Sequence, residues 1–244
     1  MITNERYNQI LSILKQNKRV SVKNLTSLLY VSEATVRRDL TQMQKLGLIE
    51  RTHGGAVISN HTEEISHFVR VVKNAKEKEY IAGLALNKIP AFGSLFLDGS
   101  STALALAERM NLEHKTVVTY NLQTALQISK KQNVNLIILG GVVNYSSASA
   151  LGSWTAKQIN DFNFDLFISS CSAIKNGEIF ENSLDQKEIK QNALNKSAFK
   201  ILLADHTKFD GNGVYKSSLL SDYDFIFTDK KPASYSEFNN LIFK

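Results

Sequence analysis

Two adjacent arginines, Arg37 and Arg38, lie in a stretch of the chain whose side chains suit contact with nucleic acid. The stretch covers residues 31–57 and reads VSEATVRRDLTQMQKLGLIERTHGGAV, with Thr35 and Gln42 close to the arginine pair. A guanidinium group can donate two hydrogen bonds to a guanine in the major groove of DNA, and Thr or Gln side chains can read adenine or thymine. These residue types predict a helix that reads base edges in DNA.

Helical spacing indicates how this reading helix is positioned. Ser32 can cap its N-terminus, Glu33 suits the positive end of the helix dipole, and Gly47 ends the helix. The predicted buried stripe is Val36, Leu40, Met43 and Leu46, and the outward set is Thr35, Arg37, Arg38, Thr41, Gln42 and Lys45. The DNA-binding candidates on this helix are therefore Ser32, Thr35, Arg37, Arg38 and Gln42.

Two earlier helices and a hairpin complete the predicted head. The apolar residues Tyr7, Ile10, Leu11 and Leu14 fall at helical spacing, and Ser21 can cap a second helix that turns Val22, Leu25, Leu28 and Leu29 inward, with Val31 in the following turn. Residues 48–51 and 56–58 can pair across the turn at residues 52–55, so that Arg51 and His53 meet phosphates or the minor groove. The pattern predicts a winged helix-turn-helix; the alternative is a three-helix scaffold whose arginines form only a solvated face.

Charge and composition narrow the class of protein. Residues 1–58 hold nine Lys or Arg and four Asp or Glu, whereas the remaining residues hold twenty and nineteen, so the positive excess lies on the first quarter. That distribution is typical of a DNA-binding head on a neutral body, although a solvated basic face has the same composition. The sequence has no apolar run of about 18 residues that could span a membrane, and its start, MITNERYNQ, is too polar for a secretory signal. The single cysteine, Cys171, excludes an internal disulfide framework. We therefore expect a cytoplasmic protein.

The rest of the chain alternates between short apolar runs and amphipathic stretches. The predicted strands cover residues 94–97, 116–118, 134–139, 166–169, 200–204 and 225–228, and the predicted helices cover residues 102–110, 122–130, 155–161 and 187–196. Buried strands that alternate with helices predict an α/β domain with a mostly parallel, doubly wound sheet. We expect a DNA-binding domain at residues 1–58, a linker at 59–75 with Phe68 and Val69 against the body, and a sensing domain at 76–244.

Polar and small residues follow the predicted strands, where an open parallel sheet forms its ligand crevice. The sequence DGSST at residues 98–102 follows a strand and opens a helix, which is a favourable place for a phosphate, and Lys208 can add positive charge. The predicted effector contacts are Asp98, Gly99, Ser100, Ser101, Thr102, Thr119, Asn121, Gly140, Gly141, Lys190, Asp205 and Lys208. Ordinary helix capping also recruits Ser, Thr, Asn and Asp, and it is the alternative for each cluster.

These motifs resemble the DeoR family of bacterial transcriptional repressors. TVRRDL followed by LGLIERTHGGA is similar to the family's N-terminal signature, and the resemblance runs from about residue 6 to residue 229. It implies a sensor domain similar to sugar-phosphate isomerases and CoA-transferases, with contacts from residues matching Thr119, Asn121, Gly140, Gly141, Gly152, Lys190 and residues 205–208. The chain departs from the family pattern at Ser100, where a glycine is usual, at Ser101, where a threonine is usual, and at Gln186, where a glutamate is usual.

The leading hypothesis is a homo-oligomeric regulator, most simply a repressor, that binds a double-stranded DNA operator and leaves it when a phosphorylated sugar or sugar alcohol binds. It predicts no cofactor, no metal site and no membrane partner. The alternative from another class is a sugar-phosphate isomerase or transferase that also binds DNA, with Cys171 as nucleophile and His206 as base. A third hypothesis is an architectural DNA-binding module with a vestigial pocket.

Overall fold

The computed structural model describes residues 3–45, 49–58, 67–235 and 237–243. The chain divides into two compact units, a head at Met1–Lys73 and a body at Asn74–Lys244. No helix in the described ranges is both long enough and apolar enough to cross a bilayer.

The head has the elements of a winged helix-turn-helix. They are α1 (Thr3–Asn17), β1 (Arg19–Ser21), α2 (Val22–Leu29), α3 (Glu33–Lys45), β2 (Ile49–Thr52), β3 (Gly55–Ile58) and α4 (His67–Val72). The three strands form an antiparallel sheet in the order β1-β3-β2. Both predicted caps are present, because the Ser21 hydroxyl accepts a hydrogen bond from the Asn24 amide at 3.1 Å and the Ser32 hydroxyl accepts one from the Thr35 amide at 3.2 Å.

Apolar side chains from all three predicted helices and from the sheet form the core of the head. Its buried members are Ile10, Leu14, Val20, Val22, Leu25, Leu29, Val36, Leu40, Met43, Ile49 and Ala56. Leu28 was predicted to point inward, and that prediction is wrong, because its side chain is 57% exposed. Leu28 lies roughly a quarter turn from the stripe that Val22, Leu25 and Leu29 share, since successive residues rotate by about 100°. The predicted roles of Leu46, Gly47 and Leu48 fall outside the described residues.

A buried ion pair fixes the recognition helix α3 to α1. The Arg6 guanidinium meets both carboxylate oxygens of Asp39, with Nε–Oδ2 at 2.5 Å and Nη2–Oδ1 at 3.0 Å. Both side chains are at least nine-tenths buried. Asp39 therefore faces the core of the head, while its neighbours Arg37 and Arg38 are exposed.

The body begins with α5 and alternates strands with helices. Its elements are α5 (Ala75–Leu86), β4 (Ser94–Leu97), α6 (Ser101–Arg109), β5 (Thr116–Thr119), α7 (Leu122–Ile128), β6 (Asn135–Ile138), β7 (Val142–Asn144), β8 (Ser149–Leu151), α8 (Ser153–Gln158), β9 (Phe164–Ser169), β10 (Ala173–Lys175), β11 (Glu178–Glu181), α9 (Leu184–Asn195), β12 (Ser197–Leu203), β13 (Tyr215–Leu219), β14 (Phe225–Phe227) and β15 (Leu241–Ile242). Short 3-10 helices lie at Ile159–Asp161, His206–Lys208, Leu220–Asp222 and Ala233–Tyr235.

The central sheet of the body has seven strands in the order β15-β14-β12-β9-β4-β5-β6. Every pairing along this order is parallel, as the alternation of strands and helices predicts. Side chains alternate between its two faces, so that Phe96 and Phe167 enter one core while Leu95 and Leu166 enter the other. Because helices cover both faces, the doubly wound architecture is confirmed, and the carboxyl ends of β4, β5, β9 and β12 share one edge.

Two smaller sheets, the helices α4 and α5 and the short strands β1 and β15 go beyond the sequence prediction. β7 pairs with β8, and β10, β11 and β13 form a separate antiparallel sheet. Residues 67–72 form α4 inside the segment 59–75 that the sequence assigned to a linker. Residues 59–66, and the Phe68 and Val69 side chains predicted to contact the body, lie outside what the structure describes.

Candidate functional site

The DNA-facing candidates of the head lie on α3 and on the β2–β3 turn. Arg37, Arg38 and Gln42 are exposed on α3, and Arg51 and His53 are exposed at the hairpin. Ser32 and Thr35 stand at the start of α3, where their hydroxyl oxygens are 2.9 Å apart. The structure therefore presents all seven predicted residues on one small domain, with Ser32 and Thr35 partly committed to capping.

The arginines of the head differ in how they are held. Arg37 Nη2 lies 3.2 Å from Glu33 Oε2, one turn earlier on α3. Arg51 Nη1 donates to the Thr41 hydroxyl at 3.1 Å and so links the hairpin to the recognition helix. Within the described part of the head, Arg38 makes no hydrogen bond or ion pair. Of the three arginines proposed to contact DNA, Arg38 is therefore the most available to a ligand.

Glycine is required at the hairpin for two different reasons. Gly54 has φ +81°, in the left-handed region that other residues rarely adopt. At Gly55, a Cβ would stand 2.2 Å from the Val20 carbonyl oxygen of the adjacent strand β1. The two glycines let the hairpin turn tightly while β1 and β3 approach closely.

At the carboxyl edge of the body sheet, the Asp98 carboxylate organises the start of the DGSST loop. Its Oδ1 accepts from the Ser100 amide at 2.9 Å, and its Oδ2 accepts from the Ser169 hydroxyl at 2.8 Å and the Ser170 amide at 3.0 Å. Lys190 Nζ lies 3.1 Å from the same Oδ2. Through these contacts Asp98 connects the ends of β4 and β9. Because its side chain is completely buried, it has no exposed surface for a ligand.

Lys190 is enclosed by a second carboxylate and a carbonyl. Its Nζ donates to Glu181 Oε1 at 2.8 Å and to the Ser170 carbonyl at 2.8 Å. Burial alone would lower the pKa of Lys190, but Glu181 and Asp98 raise that pKa well above its ordinary value, so the ammonium stays charged. Glu181 was not among the predicted residues, because it lies on the hairpin strand β11, which was not predicted either.

The pKa values of the two buried carboxylates shift in opposite net directions. Burial by itself would raise the pKa of Asp98, but Lys190 and the hydrogen bonds from Ser100 and Ser170 bring that pKa below its ordinary value. Burial raises the pKa of Glu181 above its ordinary value despite the attraction of Lys190. The Lys190 charge is thus balanced inside the protein by Asp98 and Glu181.

The residues after Asp98 form a tightly packed helix start. The Ser100 hydroxyl accepts a hydrogen bond from the Ala103 amide at 3.1 Å and so caps α6. A Cβ at Gly99 would stand 3.1 Å from both Asn121 Cβ and the Ser149 hydroxyl oxygen. Ser100, Ser101 and Thr102 are all buried, so the N-terminus of α6 lies beneath the protein surface.

Thr119 and Asn121 belong to the same edge, one strand further along. The Asn121 amide group donates to the Ser147 carbonyl at 2.9 Å and the Ser149 hydroxyl at 3.0 Å, and its Oδ1 accepts from the Thr124 amide at 2.8 Å. The Thr119 hydroxyl accepts a hydrogen bond from the Asn121 backbone amide at 3.3 Å. Asn121 therefore caps α7 and anchors the β7–β8 hairpin beside Gly99.

Gly140 and Gly141 contact α8 instead of the DGSST loop. The Gly140 carbonyl accepts from the Thr155 hydroxyl at 2.8 Å and the Gln158 side chain at 2.9 Å. A Cβ at Gly141 would stand 2.1 Å from the Thr155 hydroxyl oxygen. These contacts explain both glycines by packing alone.

Asp205 and Lys208 lie at the end of β12, where Asn74 joins them. Asn74, the first residue of the body unit, donates from Nδ2 to Asp205 Oδ1 at 3.1 Å and to the Thr207 hydroxyl at 3.3 Å. It stands at the cap position of α5 with φ 54°, yet its side chain makes no capping hydrogen bond. Asn74 thus connects the Asp205–Lys208 loop to the point where the chain enters the body.

His206 is oriented by a carboxylate that the sequence did not reveal. Its Nδ1 lies 2.6 Å from Asp229 Oδ2, and its backbone amide donates to Asp229 Oδ1 at 2.6 Å. Burial raises the pKa of the Cys171 thiol to about 12, partly offset by Lys208. A thiol with that pKa is protonated at neutral pH, so the geometry does not supply the activated Cys171 nucleophile of the enzyme hypothesis.

We expect Lys190→Met to lower the free energy of unfolding by about 3–5 kcal/mol at pH 8, because two buried carboxylates lose their cation. Without the ammonium, burial raises the folded-state pKa of both carboxyls above the unfolded-state value, so stability returns as the pH falls and they gain protons. The difference from the wild type should therefore be smaller at pH 5. Urea unfolding followed by circular dichroism at both pH values measures it.

Lys187→Met, on the same helix, is the matched control, since Lys187 forms no ion pair among the described residues. Equal losses for the two variants, or a loss for Lys190→Met that is the same at both pH values, would contradict the buried network.

Known proteins match the two units separately and the chain as a whole. Residues 6–62 match the DeoR-like helix-turn-helix domain, and residues 73–230 match the DeoR C-terminal sensor domain. The HTH-type transcriptional regulator GolR of Listeria innocua is 32% identical over 97% of this chain and 95% of that protein. The glycerol-3-phosphate regulon repressor of Escherichia coli is 30% identical, over 93% of this chain and 91% of that protein.

A further relative, the L-fucose operon activator of Haemophilus influenzae, is 33% identical over 93% of this chain and 92% of that protein. Among solved structures, ribose 5-phosphate isomerase A from Neisseria gonorrhoeae aligns with a TM-score of 0.40 and 11% identity, over 55% of this chain and 53% of that one. A likeness of that size carries no inference about activity. The two domain matches and the full-length relatives show that the chain belongs to the DeoR family of transcription regulators, with a helix-turn-helix head and a sensor body.

Proposed function

We propose that the chain represses carbohydrate-metabolism genes and leaves its operator when a phosphorylated sugar or sugar alcohol binds the body. The name of the Escherichia coli relative supports a phosphorylated polyol as the class of effector. The Haemophilus influenzae relative is named an activator, so the effector experiments must detect an increase as well as a decrease in operator affinity.

The observation that carries the effector proposal is the buried N-terminus of α6 at the carboxyl end of β4. Backbone amides at a helix start, aided by the helix dipole, suit a phosphate group. Asp98 fixes the preceding turn through the Ser100 amide. We assign the phosphate contacts to the α6 start, with Ser100, Ser101 and Thr102, because this segment follows a buried strand where α/β proteins bind ligands.

Lys208 is assigned as the cation that faces the effector. Lys190 lies between Asp98 and Glu181, so its charge is already balanced, and its role in the proposal is to position the loop. Lys208 is only partly buried, and its ammonium makes no hydrogen bond or ion pair with the residues that the structure describes, although its charge helps to lower the pKa of Asp205. Its charge is therefore available to an anion at the carboxyl edge.

The head is assigned to the operator through α3 and the hairpin. Arg37, Arg38, Thr35 and Gln42 are proposed to read base edges, while Ser32, Arg51 and His53 contact the backbone or the minor groove. One head covers too few base pairs to define a site in a genome. The proposal therefore includes a homo-oligomer that presents two heads to repeated half-sites.

The enzyme alternative remains distinguishable by a direct measurement. The His206–Asp229 pair resembles the orienting half of a catalytic dyad, but Cys171, the nucleophile of that hypothesis, is a buried thiol with a raised pKa. Incubation of the full chain with sugar phosphates, followed by product analysis, would detect isomerisation or hydrolysis. Turnover that disappears in His206→Ala would favour an enzyme and contradict a purely regulatory body, and its loss in Cys171→Ala as well would assign the thiol as the nucleophile.

We expect Arg38→Ala to weaken binding to an operator selected from random DNA by about 1–3 kcal/mol, because a base contact is lost. Arg37→Ala should weaken it within the same range. Arg51→Ala should instead weaken binding to all sequences and reduce the salt dependence, as loss of a phosphate contact does. Titrations by fluorescence anisotropy at several salt concentrations measure both effects, and unchanged sequence preference in both helix variants would contradict the assignment of α3.

We expect one phosphate ester from a panel of glycerol, pentose and hexose phosphates to change operator affinity roughly 5- to 150-fold, the usual range of allosteric coupling. Its unphosphorylated parent should have little effect, because the phosphate supplies much of the binding energy. Ser101→Ala and Lys208→Ala should bind DNA like the wild type and require more ligand, whereas Lys175→Ala, an exposed lysine elsewhere on the body, should respond normally. Wild-type responses in both variants would place the effector elsewhere.

Asn74 is proposed to transmit the response, because it is the first residue of the body and its side chain donates hydrogen bonds to Asp205 and Thr207. Asn74→Gly removes the amide but keeps the left-handed backbone, so stability should change little. We expect it to bind effector and operator separately with wild-type affinity while the effector's influence on DNA affinity falls at least about threefold.

The matched control for this substitution is Asn176→Gly, another asparagine with positive φ, at 52°. If Asn74→Gly retains full coupling, the hydrogen bonds of Asn74 do not transmit the response. Effector binding measured by calorimetry and operator binding measured by anisotropy separate loss of coupling from loss of binding.

A further inference from the structure

One edge of the body exposes large apolar side chains next to one another. The exposed fractions are 45% for Ile138, 79% for Val142, 53% for Val143, 72% for Tyr145 and 69% for Trp154. All five lie between the end of β6 and the start of α8. We call these five residues the apolar edge. Soluble monomers rarely leave so many neighbouring large apolar groups in water, and such patches usually mark contact surfaces.

Trp154 lies beside the connection between β6 and β7, close to Ile138 and Val142 in the chain. β6 ends at Ile138, and β7 begins at Val142 after the two glycines. The Trp154 indole Nε1 lies 3.8 Å from where a Cβ at Gly140 would stand. The hydrogen bonds from Gln158 and Thr155 to Gly140 hold α8 in that place.

The backbone at this edge is also unpartnered on one side. β6 is the last strand of the seven-stranded sheet, and β7, all three of whose residues are exposed, pairs with β8 alone among the described strands. Natural edge strands usually carry lysine, proline or a covering segment that prevents pairing with another chain. Residues 132–156 contain no charged residue and no proline, so this protection is missing.

The lack of charge indicates what covers the edge. A surface that meets its own copy across a two-fold axis places like groups near like groups, so any net charge would repel itself. Twenty-five consecutive residues without charge avoid that repulsion, whereas a partner recognised by charge would find no complementary group.

The size of the apolar edge also suits a dimer contact. Buried aromatic side chains cover about 150–250 Å² each, so Tyr145 and Trp154 with three branched aliphatic residues supply much of the roughly 800 Å² that each partner contributes to a stable interface.

We propose that the apolar edge, centred on β7 and Trp154, is the surface through which two copies of this chain associate. The proposal rests on the proposed need for two heads on one operator, and it names the contact that joins them. Val142 and Val143 lie at the centre of the contact, with Tyr145 and Trp154 packing at its sides. Pairing of the free β7 edges then satisfies backbone groups that are exposed in the single chain.

The test is the mass of the full chain in solution without DNA or ligand, by light scattering and sedimentation over a range of concentrations. We expect the wild type to be a dimer or a larger even-numbered assembly. Val142→Lys and Trp154→Glu should each raise the dissociation constant at least about 100-fold, because charge is buried against its own copy. Val214→Lys, the same change at a valine that is 69% exposed elsewhere on the body, should leave the mass unchanged.

Circular dichroism and thermal unfolding would test whether the body of each variant stays folded. We expect that it does, because both side chains are exposed. A monomeric wild type, or variants that associate as the wild type does, would overturn the proposal and leave the edge to another partner. Variants that become monomeric yet bind the complete operator with unchanged affinity would uphold the surface and contradict the need for two heads.

Discussion

The Lys190 ammonium, buried between Asp98 and Glu181, is the interaction on which the body's site depends. Its three hydrogen-bonding partners come from β4, β11 and the end of β9, while Lys190 itself comes from α9. Removing ionisable groups from water is costly, so their burial is tolerated only because each has partners at short distance. The network fixes where the strands of the sheet end, and hence where α6 begins.

Several properties of the site follow from that arrangement. Because the Asp98 carboxylate holds the Ser100 amide, the chain turns into α6 in one defined way. Gly99 then packs against Asn121, whose side chain in turn anchors the β7–β8 hairpin. The head also contains a buried ion pair, in which Asp39 faces Arg6, and Arg38 therefore lies on the outer face of α3. In both units a buried ion pair orients neighbouring groups that remain available to a ligand.

Local patterns predicted the elements well because the driving forces were local. The run at residues 94–97 coincides with β4, and the hydroxyls of Ser21 and Ser32 cap the helices that they were expected to cap. The predictions failed where the cause is a tertiary contact. Glu181 and Asp229 became visible only when folding placed them against Lys190 and His206, since nothing in the spacing of a lone carboxylate reveals its partner. The short strands β7, β8, β10 and β11 were missed because three or four residues are too few to show alternation.

We propose that the ligand site on the body and the DNA-reading head are thermodynamically linked. Linkage is reciprocal, so the factor by which an effector changes operator affinity must equal the factor by which operator changes effector affinity. The most direct measurement is calorimetric titration of the full chain with the active phosphate ester, in the absence of DNA and with saturating operator. We expect the effector's dissociation constants without DNA and with saturating operator to differ by the factor found in the DNA titration. Equal effector affinity with and without operator would contradict the proposed linkage.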